Sequence, residues 1–209
     1  PLSDHGAMVL TLGRGLVSAV LVGSALGVVT QIGQSLLPEG VGQLANSISP
    51  WLSVAFVVGA QQSNPRRAMA AGFLTLSMAL IGYYALVLIR FGYTGGGSSL
   101  VLWTTGAICG GLVLGPAGWF WRWGSFRSRT IAIALLGSAW VAEGAYLALI
   151  LSMPGPALVY GLIGLAVPLL LGRTVRGRLF AWAAMLPAVA LGGVGFVPFL
   201  TLYDLLAGV

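Results

Sequence analysis

Residues 130–151 read TIAIALLGSAWVAEGAYLALIL, an apolar run broken by one charge, Glu143. Wound as a helix at about 1.5 Å per residue, the run is about 33 Å long, enough to cross a hydrocarbon layer of ~30 Å. A carboxylate near mid-bilayer costs at least ~2.5 kcal/mol, so an acid in such a run marks a functional site by default. Counted from Thr130, Glu143 stands ~20 Å along the helix, past the midplane.

Outward from this run the same pattern recurs. Apolar runs cover 12–36, 47–61, 68–90, 99–121, 156–172 and 179–203, which makes seven with 130–151; the second and sixth are short. Hydrophobic residues make up 58% of the chain, charged residues 7%, and mean hydropathy is +0.98. Soluble domains carry about 25% charged residues, so the chain reads as an all-α, polytopic membrane helical bundle, one integral membrane domain over residues 1–209. The first run follows Arg14 as a signal peptide would, but it is long and has no convincing small-residue cleavage site, so it is read as a span.

The formal charge of +6 comes from ten arginines and no lysines. They are distributed as topology signals, which excludes nucleic acid as the implied partner. Arg66 and Arg67 follow span two, Arg122, Arg127 and Arg129 follow span four, and Arg173, Arg176 and Arg178 follow span six. With Arg14, nine arginines fall on one side and only Arg90 opposite, which predicts a cytoplasmic N-terminus and an external C-terminus in a bacterial inner membrane. In the plain reading these arginines set topology and touch phospholipid headgroups. One cysteine, Cys109, excludes an internal disulfide, and the single histidine, His5, precedes the first span; no metal site or cofactor is expected.

Glycine is abundant, at 32 residues. Gly23 with Gly27, Gly106 with Gly110, and Gly111 with Gly115 each share a helix face, which predicts close packing of spans one and four. Oligomeric state does not follow, because packing within one chain uses the same pattern. Pro116 and Pro187 predict local kinks, and Pro198 a frayed turn.

Sorted by depth, polar residues collect in the outer half: Gln31, Gln34, Asn46, Ser49, Ser53, Tyr83, Tyr84, Arg90, Trp103, Thr104, Thr105, Glu143, Tyr146, Thr201, Tyr203 and Asp204. That predicts an outward-facing chamber. Trp140, Glu143 and Tyr146 stack on one helix face, and Tyr83 and Arg90 share another. Each feature has a plainer explanation. Trp51, Trp103 and the tryptophans at 119–123 suit interfacial belts, the hydroxyls suit contacts between helices, and an Arg90 salt bridge would explain Glu143.

A carboxyl in apolar, aromatic surroundings is suited to donate a proton, and aromatic faces attract a developing cation by ~0.5–2 kcal/mol each. That combination fits acid-initiated cyclisation of a polyprenyl chain. In size, span layout, use of arginine over lysine, the run NSISPW at 46–51 and the segment AWVAEGAY at 139–146, the chain resembles small actinobacterial integral-membrane terpene cyclases of the indole-sesquiterpenoid (drimentine-type) kind. The resemblance implies cyclisation of a farnesylated indole diketopiperazine, started by protonation. The chain lacks the DDxxD and DxDD motifs of soluble terpene synthases, so a lone carboxylic acid must act. Glu143 is then the general acid, with Asp204 as competitor or relay. Trp51, Tyr83, Tyr84, Trp103, Trp140 and Tyr146 would line the cation path, with Asn46, Ser53 and Arg90 in the chamber. The partners expected are membrane lipid and a hydrophobic prenylated substrate. A small transporter or the substrate-binding component of a vitamin importer would use a similar chamber, although the six-span layout of such components conflicts with seven spans. A structural role, with Glu143 as an assembly contact, is the third reading.

Overall fold

Each apolar run becomes a helix whose ends are set by local signals. The computed structural model describes residues 4–38, 42, 44–45, 47–92 and 97–207, with side chains described at 15–38, 42, 44–45, 47–92, 100–101 and 103–191. The helices are α1 (Asp4–Leu36), α2 (Ile48–Ala60), α3 (Pro65–Phe91), α4 (Gly97–Trp123), α5 (Phe126–Leu149), α6 (Pro154–Leu171) and α7 (Val175–Ala207). Asn64 caps α3 by accepting the Arg67 N–H at 2.9 Å, Pro65 opens it, and Gly92 closes it in the left-handed region at φ 74°. Ser125 caps α5 in the same way, and α6 opens on Pro154.

Among the described residues, four helices are long and apolar enough to cross a membrane: α1 over Gly15–Leu36, α3, α5 and α6. Large apolar side chains face outward along them, as with Val29, Ile89, Leu149 and Leu170, the inverse of a water-soluble surface. The exception is α2. Its 13 residues extend only about 20 Å, too short for the ~30 Å hydrocarbon layer.

α2 is nevertheless the centre of the bundle. It touches α1, α3, α4 and α5, and it buries Ser49, Trp51, Leu52, Ala55, Phe56, Val58, Gly59 and Ala60. α1 packs chiefly on α3, while α5 carries α6 and α7. The glycines expected to pack do so within the chain. A methyl group at Gly23 or Gly27 would overlap the carbonyl oxygens of Thr75 or Ala79 on α3. Gly111 and Gly115 of α4 meet Gly72 of α3, and Gly115 also meets Gly59 of α2. Gly106 and Gly110 face Ile48 and Leu52 of α2. The arginine loops 4–5 and 6–7 lie together at one end, where the Arg173 guanidinium reaches the Arg122 carbonyl oxygen at 3.2 Å.

Candidate functional site

The N-terminus of a helix leaves backbone N–H groups without partners, and α2 begins at its end away from Arg66 and Arg67. Ser47 occupies the cap position in extended conformation, but its side chain makes no capping hydrogen bond. Glu143 does the work from α5. The Ile48 N–H donates to Glu143 Oε1 at 3.1 Å, and the Ser49 N–H donates to Oε2 at 2.9 Å. The carboxylate thus sits on the positive end of the α2 dipole with both oxygens engaged.

The expected Glu143–Arg90 salt bridge is not formed. Arg90 Nη1 donates instead to Gln31 Oε1 at 2.8 Å and to Ser35 Oγ at 2.9 Å, both on α1. The reason is geometric: Arg90 ends α3 on the α1 side, whereas Glu143 faces α2 from the α5 side.

Aromatic side chains complete the site, in two groups. Beside Glu143, the Trp140 and Tyr160 rings lie 5.3 Å apart, and Tyr160 stands next to both Ser47 and Glu143. Trp140 Nε1 donates to Ser53 Oγ at 3.0 Å, and Ser53 Oγ donates to the Ser49 carbonyl at 2.8 Å. Trp140 and Ser53, both expected here, are therefore brought together with Glu143 through the first turns of α2. Ser49 Oγ is buried without a hydrogen-bond partner among the described residues, while the buried Ser47 Oγ lies beside the Tyr160 hydroxyl. Unsatisfied buried hydroxyls cost free energy, which makes this end of α2 the natural seat for a polar group of a ligand or for water.

The second group lies toward α1 and α3. Trp51 packs 6.4 Å from both Tyr83 and Trp103, and Tyr83 meets Tyr84 edge-on at 5.2 Å. Trp51 is 6% exposed and its Nε1 donates to Thr30 Oγ1 at 3.0 Å, so it is a core residue and not part of an interfacial belt. Tyr83 donates to Gln34 Oε1 at 2.8 Å, and Gln34 Nε2 reaches the Ala45 carbonyl at 3.3 Å. Both groups belong to one hydrophobic core; of the aromatic residues expected along the cation path, Trp140 lies in the first group and Trp51, Tyr83, Tyr84 and Trp103 in the second. Tyr146 is half-buried one turn beyond Glu143. Asn46 and the side chain of Asp204 lie outside the described residues. Among the described residues, no group of three acidic, histidine or cysteine side chains could hold a metal ion.

Tyr160, Thr30 and Ser47 are the site residues that sequence reasoning missed. Tyr160 had a signal, as the one tyrosine in the otherwise aliphatic α6. No curated protein and no solved structure matches this chain. A sequence model does match residues 8–202, nearly the whole chain, and by that match the chain belongs to a family of unknown function, DUF6518.

Proposed function

We propose that the chain is a membrane-embedded terpene cyclase of seven helices, α2 crossing only part of the hydrocarbon layer, with a cytoplasmic N-terminus and an external C-terminus, acting on a prenylated, lipid-like substrate. The observation that carries this reading is a carboxyl group with no cationic partner among the described residues, held by backbone N–H groups beside the Trp140–Tyr160 pair. Protonation of an alkene or epoxide at the end of the prenyl chain creates a carbocation. Ring closure moves that charge along the chain, and loss of a proton restores neutrality. Starting from a neutral alkene, the sequence is an isomerisation and needs no diphosphate departure.

The hydrogen bonding refines the roles. Both Glu143 oxygens already accept N–H groups, an arrangement suited to offsetting positive charge and taking up the final proton. Asp204 then becomes the initiating acid. Trp140 and Tyr160 present their faces to the cation, each contributing ~0.5–2 kcal/mol. The buried Ser49 hydroxyl would hydrogen-bond a polar substituent of the substrate.

Membranes containing the protein, supplied with a farnesylated indole diketopiperazine, test this reading by liquid chromatography and mass spectrometry. The expected product has the substrate's mass and a new retention time, and Asp204→Asn abolishes it. Trp140→Leu is expected to release less-cyclised products. Substrate returned unchanged by the wild-type protein would sink the proposal.

A second reading, a small transporter, is favoured by α2 itself. Helices that begin within the membrane, with their N-terminal N–H groups aimed at a polar site, build substrate sites in transporters. Saturable solute uptake by proteoliposomes that vanishes in Glu143→Ala would select it over the cyclase.

A further inference from the structure

Far from Glu143, loops 4–5 and 6–7 bring six arginines to one end of the bundle: Arg122, Arg127, Arg129, Arg173, Arg176 and Arg178. Three of the guanidinium groups, those of Arg129, Arg173 and Arg178, are held by backbone carbonyls. Arg129 Nε donates to the Trp121 carbonyl at 2.9 Å and its Nη2 to that of Gly124 at 2.8 Å. Arg173 Nη2 takes the next carbonyl, that of Arg122, at 3.2 Å, so two guanidinium groups sit on consecutive residues of the α4 C-terminus and repel each other. Arg178 Nε binds the Gly172 carbonyl at 3.1 Å, and Arg176 lies over the rings of Phe126 and Phe180. Among the four acidic residues of the chain, the one whose side chain is described is Glu143, roughly 21 Å along α5 from Arg129. The carbonyl dipoles orient these cations but leave their charge uncompensated.

Beside them runs an apolar groove between α4 and α5, about 310 Å³ in volume, lined by Val113, Pro116, Phe120, Ile131 and Leu135. Its end toward the arginines is formed by Phe120, two residues before Arg122, and Ser128, between Arg127 and Arg129. The volume falls at the lower end of small-molecule sites, about 300–1,000 Å³.

We propose that this end of the bundle is a binding site for an anionic glycerophospholipid of the cytoplasmic leaflet, its phosphate on the Arg129 and Arg173 pair and one acyl chain in the α4–α5 groove. Charge complementarity selects the head, because guanidinium groups match phosphate oxygens and juxtamembrane arginines attract anionic lipid. The groove accepts the tail, which separates a held lipid from headgroups merely brushing a basic surface. The site is independent of the cyclase reading and of its chamber.

Native mass spectrometry of the purified protein, exchanged into a neutral detergent and titrated with phosphatidylglycerol or phosphatidylcholine, tests the assignment. One phosphatidylglycerol is expected to remain bound preferentially over phosphatidylcholine. Arg129→Gln with Arg173→Gln is expected to weaken it about tenfold or more. Arg66→Gln with Arg67→Gln removes equal charge from the first turn of α3 and is expected to leave retention unchanged. Ile131→Trp, which fills the groove from an exposed position, is expected to weaken phosphatidylglycerol while binding of inorganic pyrophosphate persists. Equal losses in the two arginine pairs, equal retention of the neutral lipid, or full retention in Ile131→Trp would each overturn the site. Should the double glutamine variant fail to fold, Arg173→Lys alone is expected to weaken retention through loss of the planar guanidinium, and unchanged retention there counts against the proposal.

Discussion

Replacing Glu143 tests the physical core of the site without any knowledge of substrate. In Glu143→Leu the N–H groups of Ile48 and Ser49 lose both acceptors. A buried donor left unsatisfied costs about 1–3 kcal/mol, so the pair costs about 2–6 kcal/mol. Glu143 is only partly buried, so water can reach part of the site, and the lower half of that range applies. In Glu143→Gln one amide oxygen still accepts, while the NH2 group faces the other N–H, for a cost of about 1–3 kcal/mol. At about 2–4 °C per kcal/mol for a chain of this size, the melting temperature falls by about 10 °C for the leucine variant and about 5 °C for glutamine. Thermal unfolding in neutral detergent micelles, followed by intrinsic fluorescence, reads both values. Trp140, one helical turn from Glu143, reports the local environment directly. Wild-type melting of Glu143→Leu would refute the argument that this carboxylate holds the end of α2, as would a glutamine variant less stable than the leucine one.

Three further outcomes follow from the packing. A double-mutant cycle between Glu143→Gln and Arg90→Gln is expected to give a coupling within about 0.3–0.5 kcal/mol of zero, because the two side chains share no contact; a larger coupling in thermal or chemical unfolding restores the salt bridge. Gly27→Ala is expected to destabilise by about 1–3 kcal/mol, since its methyl group meets the Ala79 carbonyl, while Gly161→Ala, with open space at that position, is expected to melt as wild type. Ser53→Ala removes the acceptor of the Trp140 indole N–H and is expected to cost about 1 kcal/mol with a shift in tryptophan emission; unchanged emission and stability count against that hydrogen bond.

The helices were legible in the chain because apolar runs announce themselves, and their observed ends lie within a few residues of the runs except at the first and last helices, which extend further. The shortness of 47–61 was also legible, although not its meaning. Glu143 stood out because a carboxylate in hydrocarbon is expensive. Its partners did not, because they are backbone N–H groups, which every residue but proline possesses and which only the three-dimensional position of α2 makes available. Trp51 shows a different failure. Near a run's end an indole reads as an interfacial anchor, yet here it turns inward to Thr30, a choice governed by helix rotation that an all-round apolar helix does not encode in its periodicity. Ser53 was read as a chamber residue or a back-bonded hydroxyl, and it is back-bonded to Ser49 while also accepting from Trp140.

The Glu143 contact also has a consequence in time. The donors at Ile48 and Ser49 precede their acceptor by 95 and 94 residues, so both are synthesised and delivered to the bilayer well before the carboxylate exists. Until α5 arrives, the Ile48 and Ser49 N–H groups need other acceptors, such as water or lipid headgroups. The start of α2 therefore gains its side-chain acceptor only once α5 is in place.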